Sequence, residues 1–203
     1  MKTLAKLSIL LVLGLTACVS QPELPPQYRG ELVPVAPGDP EYGNADLSTA
    51  VKPAGAGGVS EGLVVRATAD IPVYRLWSGP DVMYGQYTNR QGRWWSADTP
   101  HGSVVQYRID YEICGQWNTL AYGERCTLKK GAVVAIGPGQ SVSAETCKDP
   151  SGKYDSRNES YPASPAHWQI YIKDPGNAGT LACPEPSQDY KADLLDISPP
   201  KSK

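Results

Sequence analysis

The sequence contains no phenylalanine, only two methionines and only two histidines. Aromatic area for a core must therefore come from its 12 Tyr and 5 Trp, side chains that carry a polar handle and suit a thin β structure or a binding surface. A charge surplus is also missing. Lys and Arg number 19 against 21 Asp and Glu, for a net charge of -2. Nothing is left over to neutralise phosphates, so nucleic acid is not an expected partner. No apolar run approaches the roughly twenty residues that cross a bilayer. No C-x-x-C pair exists, so a zinc cluster lacks its spacing and no metal site is expected. His101 and His167 belong to no H-E-x-x-H pattern, and no serine stands in G-x-S-x-G. Both read as structural histidines near the surface. Gly137-Pro138-Gly139-Gln140-Ser141 has a proline inside it and no following lysine, which excludes a phosphate loop and suggests a hairpin turn.

The first residues have the character of an address. Lys2 and Lys6 precede an apolar run over residues 7–15, and small residues follow at Thr16, Ala17 and Cys18. This is the order of a signal peptide, here residues 1–17. The tetrapeptide Leu15-Thr16-Ala17-Cys18 resembles the bacterial lipobox. The resemblance implies cleavage before Cys18, lipidation of that cysteine and a lipid-anchored lipoprotein of the cell envelope whose partner is the membrane. Two or more acyl chains hold such a protein firmly, at about 0.8 kcal/mol per buried methylene. Val19 stands where an Asp commonly retains such proteins in the inner membrane, so the outer membrane is implied, with periplasmic and surface faces both open.

Residues 18–61 are dense in Pro, Gly and Ala, without sustained apolar periodicity, and read as a tether. A disulfide-bonded domain is expected over 62–185 and a loose tail over 186–203, with Tyr190 to Ile197 as a segment that docks. Apart from Cys18, the cysteines are Cys114, Cys126, Cys147 and Cys183, an even set suited to two disulfides in an oxidising compartment. Of three connectivities, sequence proximity favours Cys114 with Cys126 and Cys147 with Cys183.

Strands are expected at Leu63-Val64-Val65, Ile71-Pro72-Val73-Tyr74-Arg75-Leu76-Trp77, Trp94-Trp95, Val133-Val134-Ala135-Ile136 and Trp168-Gln169-Ile170-Tyr171-Ile172. Between Val105 and Ile113 the alternation Val105, Tyr107, Ile109, Tyr111, Ile113 predicts a half-buried strand, with Glu112 on its polar face. Helical spacing through Val104, Tyr107 and Tyr111 leaves a short helix open. The expected fold class is α+β, β-dominated, in one compact disulfide-bonded domain.

Arg75 on an early strand, Gly92-Arg93-Trp94-Trp95-Ser96, Trp117-Asn118 and a late strand opened by Gln169 follow one another as in ADP-ribosyltransferase-like domains of bacterial toxins, which residues 70–173 resemble. The resemblance implies NAD as the cofactor. Arg75 would pair with the diphosphate, Ser96 and Trp94 would support the nicotinamide pocket, and an acid would face the cationic centre. Here the sequence departs from the family. Gln169 occupies the acid's place and supplies no negative charge, and Glu159 is the nearest acid, so both stand as candidate catalytic residues. The function expected is a binding or interaction domain for an unidentified protein or small molecule. The alternatives are an NAD-binding enzyme or its degenerate relative, and an immunity-type lipoprotein that neutralises a periplasmic toxin.

Overall fold

In chain order the strands are β1 (Leu32–Pro34), β2 (Leu63–Ala67), β3 (Ile71–Trp77), β4 (Met83–Tyr84), β5 (Tyr87–Thr88), β6 (Trp94–Trp95), β7 (Tyr122–Leu128), β8 (Val133–Pro138), β9 (Trp168–Tyr171), β10 (Leu181–Ala182) and β11 (Tyr190–Lys191). Three short helices intervene, α1 (Leu47–Ala50), α2 (Val104–Asp110) and α3 (Ala144–Cys147). The computed structural model describes residues 22–84, 86–151 and 159–192. Cys18 and the lipobox at 15–18 lie outside the described residues.

The fold is β-dominated α+β, built on two antiparallel sheets. The first runs β1-β2-β8-β9-β6. In the second, β7 pairs with β3 over seven residues, from Ile71 opposite Leu128 to Trp77 opposite Tyr122, while β10 and β11 pair with its other edge. A single bridge from Tyr74 to Ser96 links the sheets, with Tyr74 N to Ser96 O at 2.7 Å and the return bond at 2.9 Å.

Alternation along β8 explains the layering, because its residues are buried on both faces. Val134 and Ile136 join the main core between the sheets with Leu63, Val65, Val73, Trp95 and Ile170. Val133 and Ala135 point the other way, into a second cluster with Val64 and Tyr171. Residues expected to be tether cover that outer face. Val35, Ala45, Ala50 and Val59 are buried there, and Leu24, Tyr28 and Leu32 enter the main core. The tether over 18–61 is therefore corrected for residues 22–61, which belong to the folded body. Pro34 is tolerated because β1 is an edge strand and needs no second ladder.

Three further expectations change. The segment predicted as a strand from Val105 is the helix α2, with Val105 67% exposed and Tyr107 buried. Ser103 caps it, accepting from Gln106 N at 3.1 Å, and Tyr107 stacks on Tyr111 with ring centroids 4.5 Å apart. The hairpin expected at Gly137-Pro138-Gly139 is instead strand and its continuation. These glycines permit close approach: a Cβ at Gly137 would lie 2.0 Å from Glu61 O, and one at Gly139 would lie 2.1 Å from the Glu112 carboxyl. Finally, the disulfides join Cys114 to Cys147 and Cys126 to Cys183, not the sequence neighbours. β7 carries Cys126 away from Cys114 and alongside β10, which ends one residue before Cys183.

The end of the described chain docks, as expected at its start. Tyr190 lies over Gly123, Ala192 is buried, and Asp189 accepts two hydrogen bonds from Arg90 at 2.7 and 2.8 Å.

Candidate functional site

A cavity of about 130 Å³ opens beside the junction of the two sheets. β3 contributes Arg75 and Leu76, β6 contributes Trp94 and Trp95, and β9 contributes Gln169. Tyr107 of α2 and the loop after it, through Tyr111, Glu112, Ile113, Trp117 and Asn118, close the other side, and Gly58 stands at the rim. Five of the twelve lining residues are aromatic, and Arg75, Glu112, Asn118 and Gln169 stand among them.

The local sequence explains each placement. Arg75 lies across Gly92, where a Cβ would sit 2.2 Å from the guanidinium. Its Nε and Nη2 donate to Asn89 O at 3.2 and 3.1 Å, and its Nη1 donates to Trp94 O at 2.8 Å. Arg75 thereby fixes the segment that delivers Trp94 to the cavity. Trp94 packs on Tyr171 at 5.0 Å between ring centroids. Across the cavity, Asn118 donates to Leu76 O at 2.7 Å, and Arg108 donates to the carbonyls of Ile113 and Asn118 at 2.8 and 3.0 Å. The loop that carries Trp117 is therefore tied to β3 and to α2. Trp117 remains 39% exposed, an aromatic wall open to solvent.

Glu112 is the residue whose role the sequence did not reveal. It ends the turn after α2 in a left-handed conformation, φ 48°, and only 2% of it is exposed. Its Oε2 accepts from Gln169 Nε2 at 3.0 Å, while Oε1 has no hydrogen-bond partner among the described residues. Burial pushes its carboxyl up to about 9, against the smaller opposing effects of the Ser164 N–H and Gln169, so the group is neutral at pH 7. Period-two alternation alone places it on the polar face of a strand. The signal that would have found it is Ser103-x-x-Gln106, a capping-box spacing that starts a helix and carries Glu112 around to the cavity.

The structure brings together three of the five candidate NAD and catalytic residues: Arg75, Trp94 and Gln169 line the cavity. Ser96 does not. It is fully buried behind the lining, pairs with Tyr111 Oη at 2.7 Å and accepts from Asp98 N at 2.9 Å, so it orients a wall residue. Glu159 does not line the cavity either. It accepts from Gly115 N and Tyr161 Oη, both at 2.8 Å, and braces the loop beside the Cys114–Cys147 disulfide. A carboxylate facing a cationic centre is thus not supplied by Glu159.

Among the described residues one group of metal-type donors occurs, Glu124 with Cys126 and Cys183. Those two sulfurs are bonded to each other, which removes them as thiolate ligands. Burial pushes the Glu124 carboxyl up to about 8 although Arg90 lies 3.4 Å away. No helix among the described residues is long and apolar enough to cross a membrane.

No protein-family model matches the chain, and no curated protein or solved structure is significantly similar to it.

Proposed function

We propose that this chain is a lipid-anchored bacterial envelope protein whose folded domain binds a small planar ligand in the cleft between its sheets. The observation that carries the binding reading is the cavity itself. Trp94, Tyr111 and Trp117 line it with aromatic side chains, while Arg75, Asn118 and Gln169 supply a few fixed polar groups. Small-molecule sites have this composition, mostly apolar and aromatic with a small number of placed polar atoms. The envelope reading rests on Cys18 in its lipobox and is supported by two disulfides, which suit an oxidising compartment. Labelled palmitate incorporated by the expressed chain, and lost in Cys18→Ala, tests the anchor; label retained in that variant would remove it.

A second reading, an NAD-binding relative of the toxin transferases, is favoured by Arg75, Trp94 and Gln169 sharing one cavity. Transfer chemistry has less support than binding. Glu159 lies off the cavity, and Glu112, the acid within it, is held neutral and cannot oppose a developing positive charge. Calorimetric titration of NAD into the full chain, disulfides intact, separates the readings. Saturable binding lost in Trp94→Ala and without release of nicotinamide fits the binder. Turnover abolished in Gln169→Ala would replace it with the enzyme, and NAD binding unchanged in Arg75→Ala would end the second reading.

A further inference from the structure

We infer that the protein lies flush on its membrane, with the lip formed by residues 22–34 seated among zwitterionic phospholipid headgroups. The inference rests on the anchor proposed at Cys18, because the acyl chains fix where the bilayer is. Only Val19, Ser20 and Gln21 separate that cysteine from Pro22, where the described residues begin. Four chain steps of at most about 3.6 Å keep Pro22 within roughly 14 Å of Cys18 by any path. A spacer of about forty extended residues would reach on the order of 100 Å. The actual reach is no longer than the radius of gyration of a domain of this size, about 15 Å. The body therefore has no room to stand clear of the lipid.

The chain has little slack after Pro22. Leu24 is buried in the main core, and its carbonyl accepts from Arg29 Nε at 3.2 Å. Tyr28 is buried as well; its Oη donates to Asp98 at 3.1 Å, and its N–H donates to Pro25 O at 3.0 Å. The folded body is thus pinned within two residues of Pro22, and the surface around Pro22 is the one held to the bilayer.

The chemistry of that surface fits headgroups. A groove of about 460 Å³ beside Pro22 is lined by Leu24, Leu32, Pro34 and Leu63. Glu23 and Arg29 line it too and pair with each other, their side chains 83% and 54% exposed. An exposed pair of this kind contributes little and exchanges readily. Its guanidinium can take a phosphate and its carboxylate an ammonium, the two charges of phosphatidylethanolamine. Gly30 and Glu31 are exposed beside the pair, and Val33 of β1 is 38% exposed. A second copy of the chain is a poorer occupant. β1 is an edge strand, but Pro34 has no N–H to offer a partner strand. Trp94 stands on β6, the other edge of the same sheet, four strand spacings of about 4.8 Å from β1.

The test places the full lipid-bearing chain in phosphatidylethanolamine-rich nanodiscs with nitroxide on a fraction of the headgroups, and reads paramagnetic broadening by NMR. Mass spectrometry of the N-terminal peptide first reports whether Cys18 carries lipid. Broadening should be several-fold stronger at the amides of Gly30, Glu31 and Val33 than at the Trp94 indole. A Gly-Ser insertion of about twenty residues after Ser20 keeps the lipid, adds about 25 Å of root-mean-square reach, and should abolish that difference. Lipidated chain broadened evenly over its surface, or most strongly at the exposed Val105 and Ile109 of α2, would overturn the seating and leave the anchor standing. An insertion without effect would do the same. Cys18 without lipid would end the anchor reading and this inference together.

Discussion

Glu112 and Glu124 make the residue scale the place where acidity and stability meet. Each has a folded pKa above its ordinary value of 4.5, near 9 and near 8 respectively. The folded chain therefore holds protons that the unfolded chain releases as pH rises from about 4.5, so stability falls across the window up to pH 8–9. Thermal melts should show a higher midpoint at pH 5 than at pH 9. Glu112→Gln, neutral throughout, should flatten that decline and gain up to about 3 kcal/mol at pH 7. Chemical denaturation at three pH values checks the sign; a Glu112→Gln chain less stable at pH 8 than the unsubstituted one would contradict the assignment. The same scale shows why part of the site escaped the sequence. Arg75, Trp94 and Gln169 sit on strands that apolar runs announce, and their convergence needs only the sheets to pair. Glu112 depends on a helix end and one left-handed residue, and nothing in a period-two pattern signals either.

Elements as short as these depend on their caps and their packing. α2 spans Val104–Asp110, so propensity alone would not hold it. Ser103→Ala removes the side chain that accepts from Gln106 N and should cost about 1 kcal/mol. Because α2 positions Tyr107, Tyr111 and Glu112, the same substitution should loosen the cavity wall, seen as faster amide exchange over 104–113. Unchanged exchange there would mean that packing against Leu76 and Leu120 suffices. Strands with apolar residues in long succession were legible, as β2, β3, β8 and β9 show. β7 was not, because Tyr122-Gly123-Glu124-Arg125-Cys126 mixes charges with a glycine. Glu124 is nevertheless buried opposite Arg75, and Gly123 has no side chain where Tyr190 lies on it.

At the scale of the whole molecule, the segment before β2 changes the account most. Its prolines and glycines suggested a spacer, yet β8 is apolar on both faces, and a sheet strand of that kind must be covered on both. The uninterrupted run from Ala132 to Ile136 thus already required a cover for its outer face. Residues 22–61 supply it through Val35, Ala45, Ala50 and Val59. Deleting residues 22–58 should expose Val64, Val133 and Tyr171 and yield a chain that aggregates or binds apolar dyes, while a spacer could be removed without effect. The disulfides act at the same scale. Cys114–Cys147 and Cys126–Cys183 close segments with separations of 33 and 57 residues, each worth about 4 kcal/mol in the chain-entropy model. Reduction should therefore lower the unfolding midpoint sharply; an unchanged midpoint would mean that the sheets hold without them.

The claim on which the rest depends is that the cleft between the sheets receives a planar ligand. Titration of benzamide into uniformly nitrogen-15-labelled chain, following the indole N–H resonances of the five tryptophans, tests it directly. Saturable shifts are expected for Trp94, Trp95 and Trp117, which line the cavity, and none for Trp77 and Trp168, which do not. Shifts confined to Trp77 and Trp168, or no shift at any indole, would contradict it.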